Sequence, residues 1–112
     1  MTAPYRWCVL YADTADPPAV VATLATLLGP ADALDVFRVP GCTVEVRRNP
    51  DRTGGDHYLD WPTMIEIDAD AGVADRTVVT FVTALIAHLH AAHLRIAPEC
   101  DFPTALPPPD AR

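Results

Sequence analysis

The stretch Gly72–Arg95 (GVADRTVVTFVTALIAHLHAAHLR) constrains this chain most, because it is the longest segment without Pro or an internal Gly. Apolar side chains recur at Val78, Val82, Leu85, Ile86 and Leu89, the period of a helix and not of a strand. Val79 and Phe81 widen the stripe. Asp70 or Gly72 is the expected N-cap, and Asp75 then lies in the early turns, where a carboxylate favours the positive end of the dipole. His88, His90 and His93 fall toward the negative end. His93 stands where a C-cap Gly often does, and His tolerates the left-handed conformation better than most residues. The opposite face, Thr77, Thr80, Ala84, Ala87 and Ala91, is small and uncharged. It reads either as a neutral surface of high helix propensity or as a second contact surface such as a dimer interface.

A helix with one apolar stripe must bury it, and the flanking segments supply the partner surface. Tyr5–Tyr11 (YRWCVLY) is aromatic and β-branched enough for a strand. Its alternation puts Tyr5, Trp7, Val9 and Tyr11 on one face and Cys8 and Leu10 on the other, which suits a central strand. Asp16-Pro17 starts a second helix, Asp as N-cap and Pro at the first helical position, and Gly29-Pro30 stops it near Leu28. Its expected stripe is Val20, Leu24, Leu27 and Leu28. Leu34–Val39 and Cys42–Arg48 read as strands around Pro40-Gly41. A two-residue loop would place Val39 opposite Cys42, Phe37 opposite Val44 and Asp35 opposite Val46. Pro followed by Gly suits a type II turn, which also allows a longer loop. Asn49–Trp61 is a long polar stretch with Gly54-Gly55 at its tip, and it reads as an exposed loop. Thr63–Asp68 is a strand with Ile65 and Ile67 inward and Met64, Glu66 and Asp68 outward. Arg95–Cys100 is a last strand, and Pro98, which cannot donate to a ladder, assigns it to an edge. Residues 103–112 form a Pro-rich C-terminal tail.

The element order β-α-β-β-β-α-β gives one α+β domain. Its expected architecture is a mainly antiparallel four- to five-stranded sheet with two helices on one face, a ferredoxin-like variant. The other sheet face would then be open and carry Arg38, Thr43, Glu45, Arg47, Met64, Glu66 and Asp68. A chain of 112 residues buries roughly 65% of its unfolded surface, enough for one core without staples.

Charge narrows the partner classes. The net charge is −7, and the basic residues are all Arg, with no basic cluster. Neither nucleic acid nor an anionic membrane surface is expected, because both are bound by neutralising phosphate or lipid charge. A basic protein partner fits, steered by the acidic surface. Cys8, Cys42 and Cys100 are odd in number, far apart and without a CxxC pair, so they read as buried thiols in a reducing compartment. With no leader-like N-terminus and no run of transmembrane length, the expected location is cytoplasmic.

Candidate chemistry is sparse. His90 and His93 are spaced for one metal, but no carboxylate sits at helical spacing to complete a set, so neither a metal nor a cofactor is expected. Asp51, Asp56, His57 and Asp60 lack the spacing of a calcium loop. Paired carboxylates at Glu45, Glu66 and Asp68 could serve as acid and base, yet Arg38 and Arg47 share their face and favour ion pairing.

The combination of an aromatic N-terminal strand, VEVRRNPD at Val44–Asp51, WP at Trp61-Pro62, CDF at Cys100–Phe102 and LP at Leu106-Pro107 resembles a group of small actinobacterial proteins of unassigned function. Members of that group carry Gly near position 93 and more acid after CDF, where this chain has His93 and Pro103-Thr104. The resemblance implies one compact α+β domain and no particular activity. The functional expectation is a non-enzymatic protein-binding domain, immunity- or antitoxin-like. Glu45, Asp56, His57, Asp60, Trp61, Glu66 and Asp68 are its candidate contact residues. A small-molecule-binding regulatory module is the alternative, and a homodimer is compatible with both.

Overall fold

A computed structural model describes residues 7–50 and 57–100. Its elements run β1 (Trp7–Ala12), α1 (Pro17–Leu28), β2 (Val36–Val39), β3 (Cys42–Arg48), β4 (Thr63–Ala69), α2 (Asp75–Ala91) and β5 (Ile96–Cys100), with a short 3₁₀ turn at Tyr58–Asp60 before β4. The fold is α+β. One five-stranded sheet has the order β2-β3-β4-β1-β5, every neighbouring pair antiparallel. The aromatic strand β1 is interior, as its two apolar faces require. The Pro-bearing β5 lies at an edge, where the missing N–H of Pro98 breaks no second ladder.

Both helices pack on one face of this sheet. Cys8, Leu10, Ala12, Val44, Val46, Ile65, Ile67 and Ile96 meet Val20 and Leu24 of α1 and Val78, Val82, Leu85, Ile86 and Leu89 of α2 in one core. The period-2 and period-3.6 patterns therefore converge on the same interior. In α1 the Asp16 carboxylate accepts from the Ala19 N–H, Pro17 occupies the first turn and Gly29 closes the helix at φ 86°. Leu27, expected in the stripe, is instead exposed at the helix end. Helix α2 begins later than Asp70 or Gly72. Its N-cap is Ala74, without a side-chain hydrogen bond, and Asp75 lies in its first turn. At the other end His93 takes φ 66°, the left-handed conformation expected there. His88 joins the helices: its Nε2 lies 2.8 Å from Thr26 Oγ1 and 2.9 Å from the Thr23 carbonyl oxygen. The small residues Thr77, Thr80, Ala84, Ala87 and Ala91 face outward.

The β2–β3 hairpin has the two-residue loop. Val39 pairs with Cys42 and Phe37 with Val44, and Gly41 at φ 91° supplies the positive dihedral that the tight turn needs. Strand β2 starts at Val36, not Leu34. The Asp32 carboxylate accepts from the N–H groups of Leu34 and Val36 and holds a turn there, leaving Leu34 74% exposed. Those bonds stabilise the ionised form, so the Asp32 carboxyl is held below the usual carboxylate value.

The cysteines depart most from expectation. Cys8 and Cys100 are direct cross-strand partners on β1 and β5, with Cα atoms 4.0 Å apart, and they are joined as a disulfide. Cys42 alone is a free, buried thiol among the described cysteines. A reducing compartment inferred from three free thiols loses that support. No helix among the described residues is long and apolar enough to cross a membrane.

Candidate functional site

The helices cover one sheet face, and on the other the register orders the residues into transverse rows. One row runs Val36, Glu45, Glu66, Val9, Glu99 from β2 to β5. The next runs Arg38, Thr43, Asp68, Trp7. A third runs Arg47, Met64, Tyr11, Ala97.

The third row is covered, which an exposed polar loop at Asn49–Trp61 would not do. Asn49 is buried, and its Nδ2 donates to the carbonyls of Leu59, at 2.7 Å, and Trp61, at 2.8 Å. Its N–H donates to the Pro62 carbonyl. One amide thus folds the loop's return arm back onto the sheet. Tyr58 then lies edge-on to Tyr11 with ring centroids 5.8 Å apart, and its hydroxyl donates to Glu99 at 3.4 Å. Burial, and the Glu99 charge beside it, raise the Tyr58 phenol above its ordinary value. Met64 is outward by register yet only 9% exposed, beside Tyr11 in the same row. Trp61 is 6% exposed beneath Arg95, whose guanidinium carbon sits 4.8 Å from the ring centroid. It packs the arm and presents little surface to a partner.

The rest of the face is acidic around an apolar strip, with Glu45 and Glu66 half-buried and Asp68 exposed. Glu45 and Glu66 are directly opposite, a cross-strand arrangement that costs stability for like charges. Arg47 pairs with Glu66. Arg38 on the next row pairs with Asp32 at 3.4 Å, away from the glutamates. Glu45 and Asp68 make no ion pair among the described residues. Beside them Val9 is half-buried and Trp7 is 43% exposed.

The face brings Glu45, Glu66 and Asp68 together, as expected, and joins Trp7 to them. The alternation of the first strand puts Trp7 on the face away from Cys8 and Leu10, but does not single it out as a contact residue. Its place opposite Asp68 depends on β1 pairing with β4, which local pattern does not reveal. His57 and Asp60 lie on the return arm. The His57 ring stacks on Tyr58 with centroids 4.5 Å apart, and its Nδ1 accepts from the Leu59 N–H. That nitrogen is engaged in the turn, which leaves it no free lone pair for base chemistry. Asp51 and Asp56, with the Gly54-Gly55 tip, lie outside the described residues, as does the tail at 103–112. No group of three or more His, Cys, Asp or Glu is placed to hold a metal among the described residues.

A second feature lies at the opposite end of the core. Pro40, Gly41, Cys42, Val73, Thr77, Val78 and Phe81 line an apolar pocket of about 60 Å³ between the hairpin turn and α2. Burial, and then the nearby Asp70 charge, push the Cys42 thiol up to about 11, so it stays protonated and weakly nucleophilic at neutral pH. No family model, curated protein or solved structure matches this chain.

Proposed function

We propose that this chain is a non-enzymatic protein-binding domain, of the kind used as an immunity or antitoxin-like partner, and that it engages a basic protein through the outer sheet face. One observation carries the reading. Glu45 and Glu66 stand side by side, half-buried, on the sheet face away from the helices, with the exposed Asp68 diagonal to Glu45 and Trp7 beside them. Arg47 offsets the Glu66 charge within the chain, which leaves Glu45 and Asp68 as the acidic groups for a partner's cations. Charged faces of this kind also raise association rates through steering. No cofactor, nucleic acid or membrane enters this reading, and a homodimer remains compatible with it.

The test is co-elution with the partner on size-exclusion chromatography, monitored by light scattering at low and physiological salt. The face is responsible if Glu45→Gln, Glu66→Gln and Asp68→Asn together abolish the complex while the domain stays folded. An unchanged complex would remove the reading. The alternative is a small-molecule-binding regulatory module that uses the open sheet face or a dimer groove, and the pocket at Cys42 is a further place for a ligand to be sought. That pocket is well below the ~300–1,000 Å³ of a typical ligand site, so a ligand there would have to open it. A thermal-shift screen with metabolites separates the two, because a bound ligand raises the melting temperature by mass action.

A further inference from the structure

We infer that Trp7 is the anchor of the outer face, and that it receives a guanidinium group of the partner, stacked on the indole and held by Asp68. The inference rests on the protein-binding reading above and assigns the chemistry of its centre. Trp7 is a large aromatic side chain, 43% exposed, on a strand whose other face is core. Asp68 is its direct cross-strand partner and is exposed, while the diagonal neighbour Glu66 is held by Arg47. A direct neighbour lies about 5 Å away between Cβ atoms, within reach of a planar cation over the ring.

The chain already uses this chemistry elsewhere. Its other tryptophan, Trp61, is capped by Arg95 at 4.8 Å. Trp7 has no cation over its ring among the described residues. The described arginines of this face are engaged: Arg47 on Glu66 and Arg38 on Asp32. A guanidinium suits the place better than an ammonium, because its plane stacks on the indole while its fork meets the Asp68 carboxylate.

The experiment titrates the full chain with a hexa-arginine peptide and a hexa-lysine peptide by calorimetry at physiological salt, with thermal melts confirming that each variant folds. Wild type is expected to bind hexa-arginine more tightly than hexa-lysine. Trp7→Ala weakens hexa-arginine binding about tenfold, and Trp7→Phe, which keeps a ring, recovers part of the loss. Equal affinity in wild type and Trp7→Ala overturns the inference. If the Glu45→Gln, Glu66→Gln, Asp68→Asn variant still loses binding in that case, the acidic-face reading stands without the Trp7 anchor. Binding unaffected by that triple variant overturns both. A wild-type dimer that becomes a monomer in Trp7→Ala would place a second copy on the face and also overturn the guanidinium assignment.

Discussion

Reducing the Cys8–Cys100 disulfide should cost this domain a large part of its stability. The bridge spans a sequence separation of 92 residues, nearly the whole chain, so it removes much of the freedom of the unfolded state. Loop-closure entropy for a ring of that size corresponds to about 4.6 kcal/mol at 25 °C. The folded state changes little on reduction, because Cys8 and Cys100 are both buried and stay opposed in the ladder. Domains of this size gain about 0.2 kcal/mol per degree in unfolding entropy, so the melting temperature should fall by about 20 °C. The assay is a thermal melt with and without a phosphine reductant, beside Cys8→Ala/Cys100→Ala, which should melt near the reduced protein and ignore the reductant. Mass spectrometry after alkylation under denaturing, non-reducing conditions should find one modified cysteine, Cys42. Three modified cysteines, or a melting temperature that the reductant leaves unmoved, would refute the reasoning.

Three further outcomes follow from single side chains. Asn49→Ala removes two donations to buried-loop carbonyls and should cost about 2–3 kcal/mol in urea unfolding; a loss under about 0.5 kcal/mol would show that the return arm is held by something else. Glu45→Gln should stabilise the domain by about 0.2–1 kcal/mol by relieving its opposition to Glu66, while weakening partner binding; a destabilised variant would contradict the like-charge account. The Cys42 thiol is raised from 9.0 to about 11 in the folded state, so the unfolded chain releases its proton first as pH rises. Its contribution is therefore fully present below about pH 9 and lost between 9 and 11. Cys42→Val should flatten the alkaline limb of stability against pH, and an identical limb would show that other groups set it.

Legibility in the sequence followed the range of the interactions involved. The α2 stripe, the Asp16-Pro17 start of α1, the hairpin register and the left-handed His93 are set within a few residues, and the structure has them as read. Pro98 carried longer-range information, since a missing N–H restricts where a strand can sit, and β5 is at an edge. The start of β2 shifted because the Asp32 side chain captures the Leu34 and Val36 amides, a competition that strand propensity does not express. The return arm was missed because its anchor, Asn49, binds main-chain carbonyls ten and twelve residues on, and carbonyls leave no mark in sequence. The Cys8–Cys100 pair, and the meeting of Trp7 with Asp68, follow from β1 pairing with β5 and β4, which is a property of topology. Of the candidate contact residues, Glu45, Glu66 and Asp68 do share one face. Trp61 serves the interior of the arm instead.

The central claim is that the outer sheet face, and not the helix layer or the pocket at Cys42, is where this domain meets a basic partner. Amide chemical-shift mapping during titration with hexa-arginine at physiological salt tests it most directly. Shifts are expected to concentrate at Trp7, Val9, Thr43, Glu45, Glu66 and Asp68, and to disappear when Glu45, Glu66 and Asp68 are neutralised together. Shifts spread evenly over the acidic surface, or centred on Thr77, Thr80 and Ala84 of α2, would contradict it.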